Sequence, residues 1–399
     1  MFLCGSKLET TMIKFETKAI RTQAERSQHR EHSVPVYMTS SFVFNDAEQM
    51  RAVFAKEEEG NIYSRYSNPS VDEFIEKMCL LEGAEAGYAT ATGMSAVFTS
   101  IAAFVSQGDH IIASRAVFGS THQLLTQLFP RWGVMFTYVE PTEMDTWEQH
   151  IQPNTKMIVM ETPSNPGLTL IDLKRAGEIA KKHDLILNVD NCFATPYLQN
   201  PLELGASIVT HSATKFIDGQ GRSLGGIILG KAELIEQVQF LIRHTGPAMS
   251  PFNAWLLSKS LETLAVRMDR HCSNALALAT FLENHEAIEK VFYPHLPSHP
   301  QYELAKSQMR QGGGIVTFEV KGGLAKAAQF IDGIQMLSLS SNLGDSRSIV
   351  THPANTTHSK LTEAERQAVG ITPGLIRIST GLEHIDDIIG DVRQALNIV

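Results

Sequence analysis

One lysine, Lys215, lies in the segment HSATKFIDGQGRSLGG, with small hydroxyl residues before it and glycines after it. The apolar stretch ASIVTHSA predicts a buried strand that ends just before this lysine. An amine at the end of a buried strand is partly desolvated, and desolvation lowers its pKa toward values at which it is a nucleophile. Such a lysine can form a Schiff base with a carbonyl. Ser212 and Thr214, just before it, supply hydroxyls suited to an anionic group such as phosphate.

A carboxylate, Asp190, closes a second apolar strand in LILNVDNCFATP. An unpaired carboxylate at such a position is costly, so it requires a cationic partner. The protonated pyridine nitrogen of pyridoxal 5'-phosphate (PLP) is one such partner, because PLP acts as an electron sink only while that nitrogen is positive. Alternatively, Asp190 caps the turn that follows its strand.

Two further segments are suited to phosphate. ATATGMSAVFTS places Gly93 and Met94 at the start of a predicted helix, where free N–H groups and the helix dipole favour an anion. NIYSRYSNPS supplies Tyr63 and Arg65 in a segment too polar for a core, which is either a phosphate clamp or a surface turn.

Alternating strands and helices must position these residues. The apolar runs DHIIAS, VMFTYV, KMIVMET, LILNVDN, SIVTHSA and LGGIILG are separated by helical patterns such as STHQLLTQLF and LKRAGEIAKKH. This alternation predicts an α/β fold with a mostly parallel sheet that is buried on both faces. Ligands of such sheets bind at the carboxyl ends of the strands, which is where VDN and SATK lie.

We predict three regions along the chain. Residues 1–65 form an N-terminal arm, 66–255 a cofactor-binding domain and 256–399 a smaller C-terminal α/β domain. A long helical pattern, which predicts a helix that is either kinked or split in two, follows residue 250. The segments SVDEFIEKMCLLEG, ended by Gly83, and NDAEQMRAVFAKEEEG, capped by Asn45 or Asp46, predict earlier helices.

Composition sets limits on partners and location. The chain has 399 residues, of which 43% are hydrophobic and 19% charged, as is ordinary for globular proteins. Its net charge of -9 argues against a nucleic-acid partner, because binding to a phosphate backbone requires a basic face. No apolar run is long enough for a membrane span, and the N-terminus turns polar too early for a secretory signal. We therefore expect a cytoplasmic protein with no membrane partner.

Cysteine and histidine spacing predicts no metal site. The four cysteines are scattered without a C-x-x-C pair, which favours neither zinc nor a disulfide framework. They are Cys4, Cys79, Cys192 and Cys272. His352 and His358 lie close together in THPANTTH, but no carboxylate or thiol at ligand spacing completes a site.

The segments SATK, VDN, ETPSNP, YSRYSNP and TGMSA, in this order and spacing, resemble the Cys/Met-metabolism family of PLP enzymes over residues 15–399. The resemblance implies the aminotransferase-like fold type I, a homotetramer built from dimers, and an amino-acid substrate. It implies that Lys215 carries the cofactor and moves protons, and that Asp190 pairs with the pyridine nitrogen. Its phosphate ligands would be Gly93, Met94, Ser212 and Thr214 of one subunit with Tyr63 and Arg65 of the neighbour.

The same resemblance implies a substrate site. Arg377 in LIRIST matches the family's carboxylate-binding arginine, whose fork suits the α-carboxylate of an amino acid. Asn165 in SNP lies where the family contacts the cofactor ring oxygen or the substrate carboxylate. Asn342, in SNLGDSRSIVTHP, is predicted to contact the substrate as well.

Departures from the family pattern narrow the reaction. Many members have a tyrosine over the cofactor ring, whereas this chain has Phe118, which stacks but cannot donate a proton. Methionine γ-lyases have cysteine at the position of Ser120. Arg347 stands where cystathionine-handling branches often have glutamate, and a cation there would attract the free carboxylate of a succinyl ester.

These features most resemble the O-succinylhomoserine sulfhydrylase branch, which implies formation of L-homocysteine from O-succinyl-L-homoserine and sulfide in methionine biosynthesis. Cystathionine γ-synthase, O-acetylhomoserine sulfhydrylase and methionine γ-lyase are alternatives with the same cofactor residues. A PLP-binding protein without turnover is a further alternative, which the intact set of Lys215, Asp190 and Arg377 disfavours.

Overall fold

The computed structural model describes residues 13–356, 366 and 370–399. Its α-helices are α1 Phe15–Arg21, α2 Ala47–Phe54, α3 Pro69–Glu82, α4 Gly93–Ala102, α5 Gly119–Gln123, α6 Leu173–Lys182, α7 Thr195–Leu198, α8 Ala232–Thr245, α9 Pro251–Leu261, α10 Leu264–Glu283, α11 Tyr302–Gln308, α12 Gly323–Gly333 and α13 Ile385–Leu396. Its strands are β1 Ala86–Thr90, β2 His110–Ser114, β3 Met135–Val139, β4 Thr155–Glu161, β5 Ile186–Asp190, β6 Ile208–Ser212, β7 Gly226–Gly230, β8 Ile288–Phe292, β9 Ile315–Val320, β10 Ser338–Leu339, β11 Ile349–Thr351 and β12 Leu375–Ser379.

The larger sheet has seven strands in the order β1-β7-β6-β5-β4-β2-β3. Strands β2 to β6 pair in parallel, and β7 and β1 close one edge in antiparallel fashion. The predicted mostly parallel sheet is confirmed, and all six predicted strands belong to it. The sequence pattern missed β1, whose residues AGYAT include Gly and two Ala, which strands use less often than β-branched residues.

Local sequence determines the ends of the helices that flank the site. The side chain of Asn68 accepts the N–H of Ser70 at the start of α3, and Gly83 ends that helix with φ +76°. A left-handed residue at this position favours glycine, as predicted. In α2 the cap is Asp46, whose side chain accepts the N–H of Gln49.

The segment STHQLLTQLF is helical but not one regular helix. After α5 it continues as a π-helical turn over Leu124–Leu128 and a 3-10 turn over Phe129–Trp132. Pro130 contributes no backbone N–H, which interrupts the regular hydrogen-bond pattern. The short α5 begins next to Phe118, which is its N-cap residue.

A second sheet of five strands, in the order β10-β11-β12-β9-β8, confirms the smaller C-terminal α/β unit. The predicted long helix is split into α9 and α10. Leu257 and Met268 pack into a core that they share with Phe74 of α3, whereas Leu282 packs into the core of the second sheet. Helix α10 therefore joins both cores. The domain boundary near residue 255 remains a prediction, and that residue lies inside α9.

The fold brings the sequence-predicted residues to one edge of the larger sheet. Strands β4, β5 and β6 are parallel neighbours, and they end at Glu161, Asp190 and Ser212. In the described ranges no helix is long and apolar enough to span a bilayer. Cys4, His358 and the first twelve residues of the predicted arm lie outside the described residues.

Candidate active site

Lys215 lies three residues beyond the end of β6, in a turn. Its Nζ donates a hydrogen bond of 2.5 Å to Oδ1 of Asn342. Burial lowers the pKa of the Lys215 amine, and the positive charge of Arg377 lowers it further. The amine is therefore closer to its neutral, nucleophilic form than a surface lysine would be.

The loop that carries Asn342 packs directly on the backbone around Lys215. A Cβ on Gly344 would lie 2.5 Å from the amide nitrogen of Phe216 and 2.8 Å from the carbonyl carbon of Lys215. Gly344 also has φ +76°, a conformation that favours glycine. A side chain at this position would separate the loop from the lysine, so Gly344 is required for the contact with Asn342.

Arg377 lies in the middle of β12 and is almost completely buried. Its Nη1 donates to Oδ1 of Asn165 at 2.9 Å, and its Nη2 donates to the main-chain oxygens of Ser341 and Asn342 at 3.2 and 3.1 Å. Its buried Nε has no hydrogen-bond partner among the described residues. Burial lowers the pKa of Arg377 to about 10, so the side chain is still a cation at neutral pH.

Asp190 ends β5 beside the end of β4. Its Oδ1 accepts the main-chain N–H of Cys192 at 3.0 Å, and within residues 13–356 and 370–399 no lysine or arginine forms an ion pair with it. Burial raises the pKa of Asp190, an effect that the Cys192 N–H and His211 oppose. A cation bound next to this carboxyl group would be strongly stabilised.

Glu161 is the register partner of Asp190 on β4 and is also buried. Its Oε2 accepts the main-chain N–H of Phe118 at 2.7 Å. Burial and the neighbouring Asp190 raise the pKa of Glu161 well above its ordinary value. Glu161 is the first residue of the segment ETPSNP, and its sequence pattern alone indicates no role for it.

A cradle for an anion lies where α4 begins. A Cβ on Gly93 would lie 2.5 Å from Cβ of Ser212, so only glycine permits this approach of helix and strand. Thr92 accepts the N–H of Ser95 at 3.0 Å, whereas the N–H groups of Gly93 and Met94 lie in the first turn, where a helix supplies no acceptor. Thr214 exchanges hydrogen bonds with the main chain of Gly225.

Tyr63 and Arg65 contact residues other than those around Lys215. Arg65 donates to the main-chain oxygen of Arg243 and lies over the rings of Tyr63 and Tyr66. It lines a cavity of about 940 Å³. Tyr63 is 42% exposed. Within the described part of the chain neither residue forms a hydrogen bond with Lys215 or Ser212.

Arg347 is exposed to solvent and forms an ion pair with Asp345. Its Nε and Nη2 contact the two carboxylate oxygens of Asp345 at 2.9 and 3.0 Å, and Nη2 also donates to the main-chain oxygen of Gln220 at 3.1 Å. Asp345 therefore offsets part of the charge of Arg347.

These residues fit PLP in its charge and shape. The Lys215 amine, with its lowered pKa, can react with the carbonyl of PLP, and the carboxyl group of Asp190 can pair with the pyridinium. The cradle between Gly93 and Ser212 can hold the phosphate. Together with the mostly parallel seven-stranded sheet, they define a PLP-dependent enzyme of the aminotransferase-like fold type I.

The comparisons specify the family. Residues 16–397 match the model of the Cys/Met metabolism PLP-dependent enzymes. The chain belongs to this family, and its cofactor is PLP.

Curated relatives include O-succinylhomoserine sulfhydrylases. The chain is 47% identical to that of Pseudomonas aeruginosa over 96% of its own length and 95% of the relative. It is 45% identical to that of Mycobacterium tuberculosis, with 96% and 95% covered. An L-methionine gamma-lyase of Porphyromonas gingivalis is 43% identical, with 96% and 97% covered.

A solved structure supports the cofactor assignment. A candidate O-acetylhomoserine (thiol)-lyase of Campylobacter jejuni superposes with a TM-score of 0.93 at 34% identity, covering 96% of this chain and 100% of that one. That structure contains a pyridoxyl-lysine monophosphate group.

Proposed function

We propose that this enzyme replaces the succinyl group of O-succinyl-L-homoserine with sulfide, giving L-homocysteine and succinate. The sulfhydrylase relatives at 47% and 45% identity support this reaction. The structural observation that carries the proposal is that the Lys215 amine and the Arg377 guanidinium both donate to Asn342, so a proton-transfer group and a carboxylate-binding group contact the same loop residue.

Arg377 and Asn165 hold the α-carboxylate of the substrate. The buried Nε of Arg377 is available to an external acceptor, and Nη1 is already oriented by Oδ1 of Asn165. Burial strengthens a charge-assisted hydrogen bond at this position. Asn342 contacts the substrate beside them, and its Oδ1 orients the Lys215 amine when that amine is free.

PLP in this site would supply an electron sink that makes the Cα and Cβ protons of the amino acid acidic, and Lys215 acts as the base when its amine is free. Lys215 takes one proton from Cα and one from Cβ in turn, and the same amine returns a proton to each carbon after sulfide has taken the place of succinate at Cγ. Asp190 would hold the pyridinium, and Phe118 would stack on the ring. The phosphate would bind to Gly93, Met94, Ser212 and Thr214. Because Phe118 has no hydroxyl group, Lys215 is the proton carrier.

Arg347 selects the succinyl ester at the rim of the site. Its Nε and Nη2 are engaged by Asp345 and Gln220, and its Nη1 remains for the distal carboxylate of the succinyl group. An acetyl ester has no such carboxylate. Since Asp345 offsets part of the charge, the preference is moderate and weakens with salt.

The active site is completed by a second copy of the chain, in a tetramer built from two dimers. Tyr63 and Arg65 bind the phosphate of the neighbouring subunit. Two observations support this assembly: Arg65 donates to Arg243 rather than to a residue of the predicted phosphate site, and the same arm exposes apolar side chains such as Met38, at 66%, and Val43, at 97%.

Methionine γ-lyase is the second candidate, favoured by the relative at 43% identity. Ser120, at the position of the lyases' cysteine, argues against it. Cystathionine γ-synthase differs from the proposed activity only in its thiol, which is cysteine. O-acetylhomoserine sulfhydrylase differs only in its ester, which is the acetyl ester.

The test supplies O-succinyl- and O-acetyl-L-homoserine, each with sulfide or cysteine, and L-methionine alone, at equal enzyme concentrations. We expect homocysteine mainly from the succinyl ester with sulfide. Dominant cystathionine from cysteine would identify a synthase, and methanethiol from methionine would identify a lyase. Lys215→Ala, assayed in parallel, should lose both turnover and the visible absorption of bound PLP.

A further inference from the structure

Glu161 is a buried carboxyl group in contact with several residues of the site. Its Oε2 accepts the N–H of Phe118 at 2.7 Å, and the main-chain N–H of Asn165 favours the ionised form of the same carboxyl group. Asp190 is its register partner on the neighbouring parallel strand. Both carboxyl groups line the same cavity of about 10 Å³, together with Thr121 and Thr210.

Burial alone does not explain a glutamate at this position. The other buried residues at the end of β4, Val159 and Met160, are apolar, and an apolar residue would fill the space without a desolvation cost. A second carboxyl group beside Asp190 adds repulsion, which raises the pKa of Glu161 further. The carboxyl group is stabilised by the N–H donors of Phe118 and Asn165 and by the charge of Arg377.

The two N–H groups belong to different segments, one at the start of α5 and one in the loop after β4. Phe118 begins the short helix α5 and presents its ring from that side. Asn165 lies in the loop after β4, and its Oδ1 accepts from Nη1 of Arg377 at 2.9 Å. The same loop is fixed from the other sheet, because Thr317 donates to the main-chain oxygen of Pro166 at 2.7 Å.

We propose that Glu161 is a positioning residue that fixes the Phe118 ring and the Asn165–Arg377 pair relative to Asp190. Glu161 thereby links Phe118, which stacks on PLP, to the Asn165–Arg377 pair, which binds the substrate carboxylate. The inference rests on the proposed function in one respect: it takes Phe118, Asn165 and Arg377 as contacts of cofactor and substrate.

Loss of this carboxyl group has two measurable consequences. The Phe118 N–H loses its acceptor, so the ring shifts and the environment of bound PLP changes. Asn165 loses its main-chain contact, so Arg377 is less well oriented and the amino acid binds more weakly. A residue that only stabilised the fold would change neither the absorption spectrum nor KM.

The experiment compares Glu161→Ala and Glu161→Gln in the holoenzyme. We expect Glu161→Ala to shift the visible absorption maximum of bound PLP, to weaken PLP binding in a titration of the apo-protein, and to raise KM for O-succinyl-L-homoserine about tenfold. Glu161→Gln keeps the shape and one acceptor oxygen, so its effects should lie between those of wild type and Glu161→Ala.

The matched control is Asp391→Asn. Asp391 is another buried carboxylate that accepts main-chain N–H groups, those of Gln335, Met336 and Leu337, but it lies in α13, on the second sheet. Its replacement should lower the melting temperature while KM and the PLP spectrum stay unchanged.

An unchanged spectrum and a KM within about twofold of wild type in Glu161→Ala would overturn the inference. Should that variant fail to fold, the same result in Glu161→Gln would overturn it. Failure of the proposed function is distinguishable, because wild-type enzyme would then make no homocysteine from O-succinyl-L-homoserine, whereas the PLP spectrum and PLP titration require no amino-acid substrate.

Discussion

Lys215 and Arg377 bind the same residue, Asn342. Lys215 donates to its side-chain oxygen at 2.5 Å, and Arg377 donates to its main-chain oxygen at 3.1 Å. Lys215 follows the larger sheet and Arg377 lies in the smaller one, so Asn342 fixes the distance between the two across the junction of the sheets. The position of the reactive amine therefore depends on a loop more than 120 residues away along the chain.

Asn342→Ala should impair catalysis more than folding. The variant removes the acceptor that orients the Lys215 amine but keeps the main-chain oxygen that Arg377 uses, so we expect kcat to fall about tenfold with a smaller change in KM. Steady-state kinetics with the succinyl ester measure both values. Asn154→Ala, which removes a side-chain hydrogen bond to Gly108 on the surface, serves as the control. Equal kcat values in wild type and Asn342→Ala would contradict the assigned role.

Gly93→Ala should abolish tight binding of the PLP phosphate. The new Cβ would lie 2.5 Å from Cβ of Ser212, so α4 or the end of β6 must shift and the cradle between them is distorted. We expect the dissociation constant of PLP to rise at least about tenfold in a titration of the apo-protein.

Gly390→Ala provides the matched control for Gly93→Ala. Gly390 lies inside α13, and a Cβ there would meet no atom within 4 Å. It should bind PLP as wild type does and melt slightly higher, because alanine favours a helix by up to about 1 kcal/mol over glycine. Wild-type PLP affinity in Gly93→Ala would show that the phosphate binds elsewhere.

The sequence predicted those parts of the site that depend on one strand and its end. Lys215 and Asp190 follow buried apolar runs, and in a parallel sheet such ends meet at one edge. Glu161 acquires a role only when β4 and β5 align in register, and the pairing of Arg347 with Asp345 depends on the conformation of their loop. The strand β1 was missed because small residues carry little strand preference.

Arg347→Ala should reduce discrimination between succinyl and acetyl esters. Removal of the guanidinium removes the cation proposed to meet the succinyl carboxylate, so we expect the ratio of the two kcat/KM values to fall up to about tenfold, and less at high salt. Arg175→Ala removes a paired surface arginine on α6 and should leave the ratio unchanged.

Asp345 requires a control of its own, because its carboxylate loses its partner in Arg347→Ala and would then repel the succinyl group. The double variant Asp345→Asn/Arg347→Ala removes that repulsion. If the double variant regains the full preference of wild type, Arg347 acts only by masking Asp345. A full succinyl preference in Arg347→Ala itself would eliminate any role in ester selection.

His271 should make the enzyme less stable in acid. It is fully buried on α10, where its Nδ1 donates to the main-chain oxygen of Thr380 at 2.6 Å. Burial, with a smaller contribution from Arg267, lowers the pKa of His271 from 6.5 to about 4, whereas the hydrogen bond to Thr380 and the charge of Asp345 act in the opposite direction. Since the folded-state pKa lies below the unfolded value, His271 is neutral in the folded protein at neutral pH. The stability that the neutral His271 side chain contributes to the folded protein is present above pH 6.5 and is lost as the pH falls toward 4.

His271→Gln should weaken this pH dependence, because glutamine can still donate to Thr380 and does not titrate. Over this pH range the free energy of unfolding of wild type should fall by roughly 2–3 kcal/mol more than that of the variant. Urea unfolding at pH 7 and pH 4.5 measures the difference, with His150→Gln, an exposed histidine, as the control. If wild type and His271→Gln lose stability in parallel between pH 7 and pH 4.5, the acid-sensitive group lies elsewhere, since the variant has no imidazole to titrate.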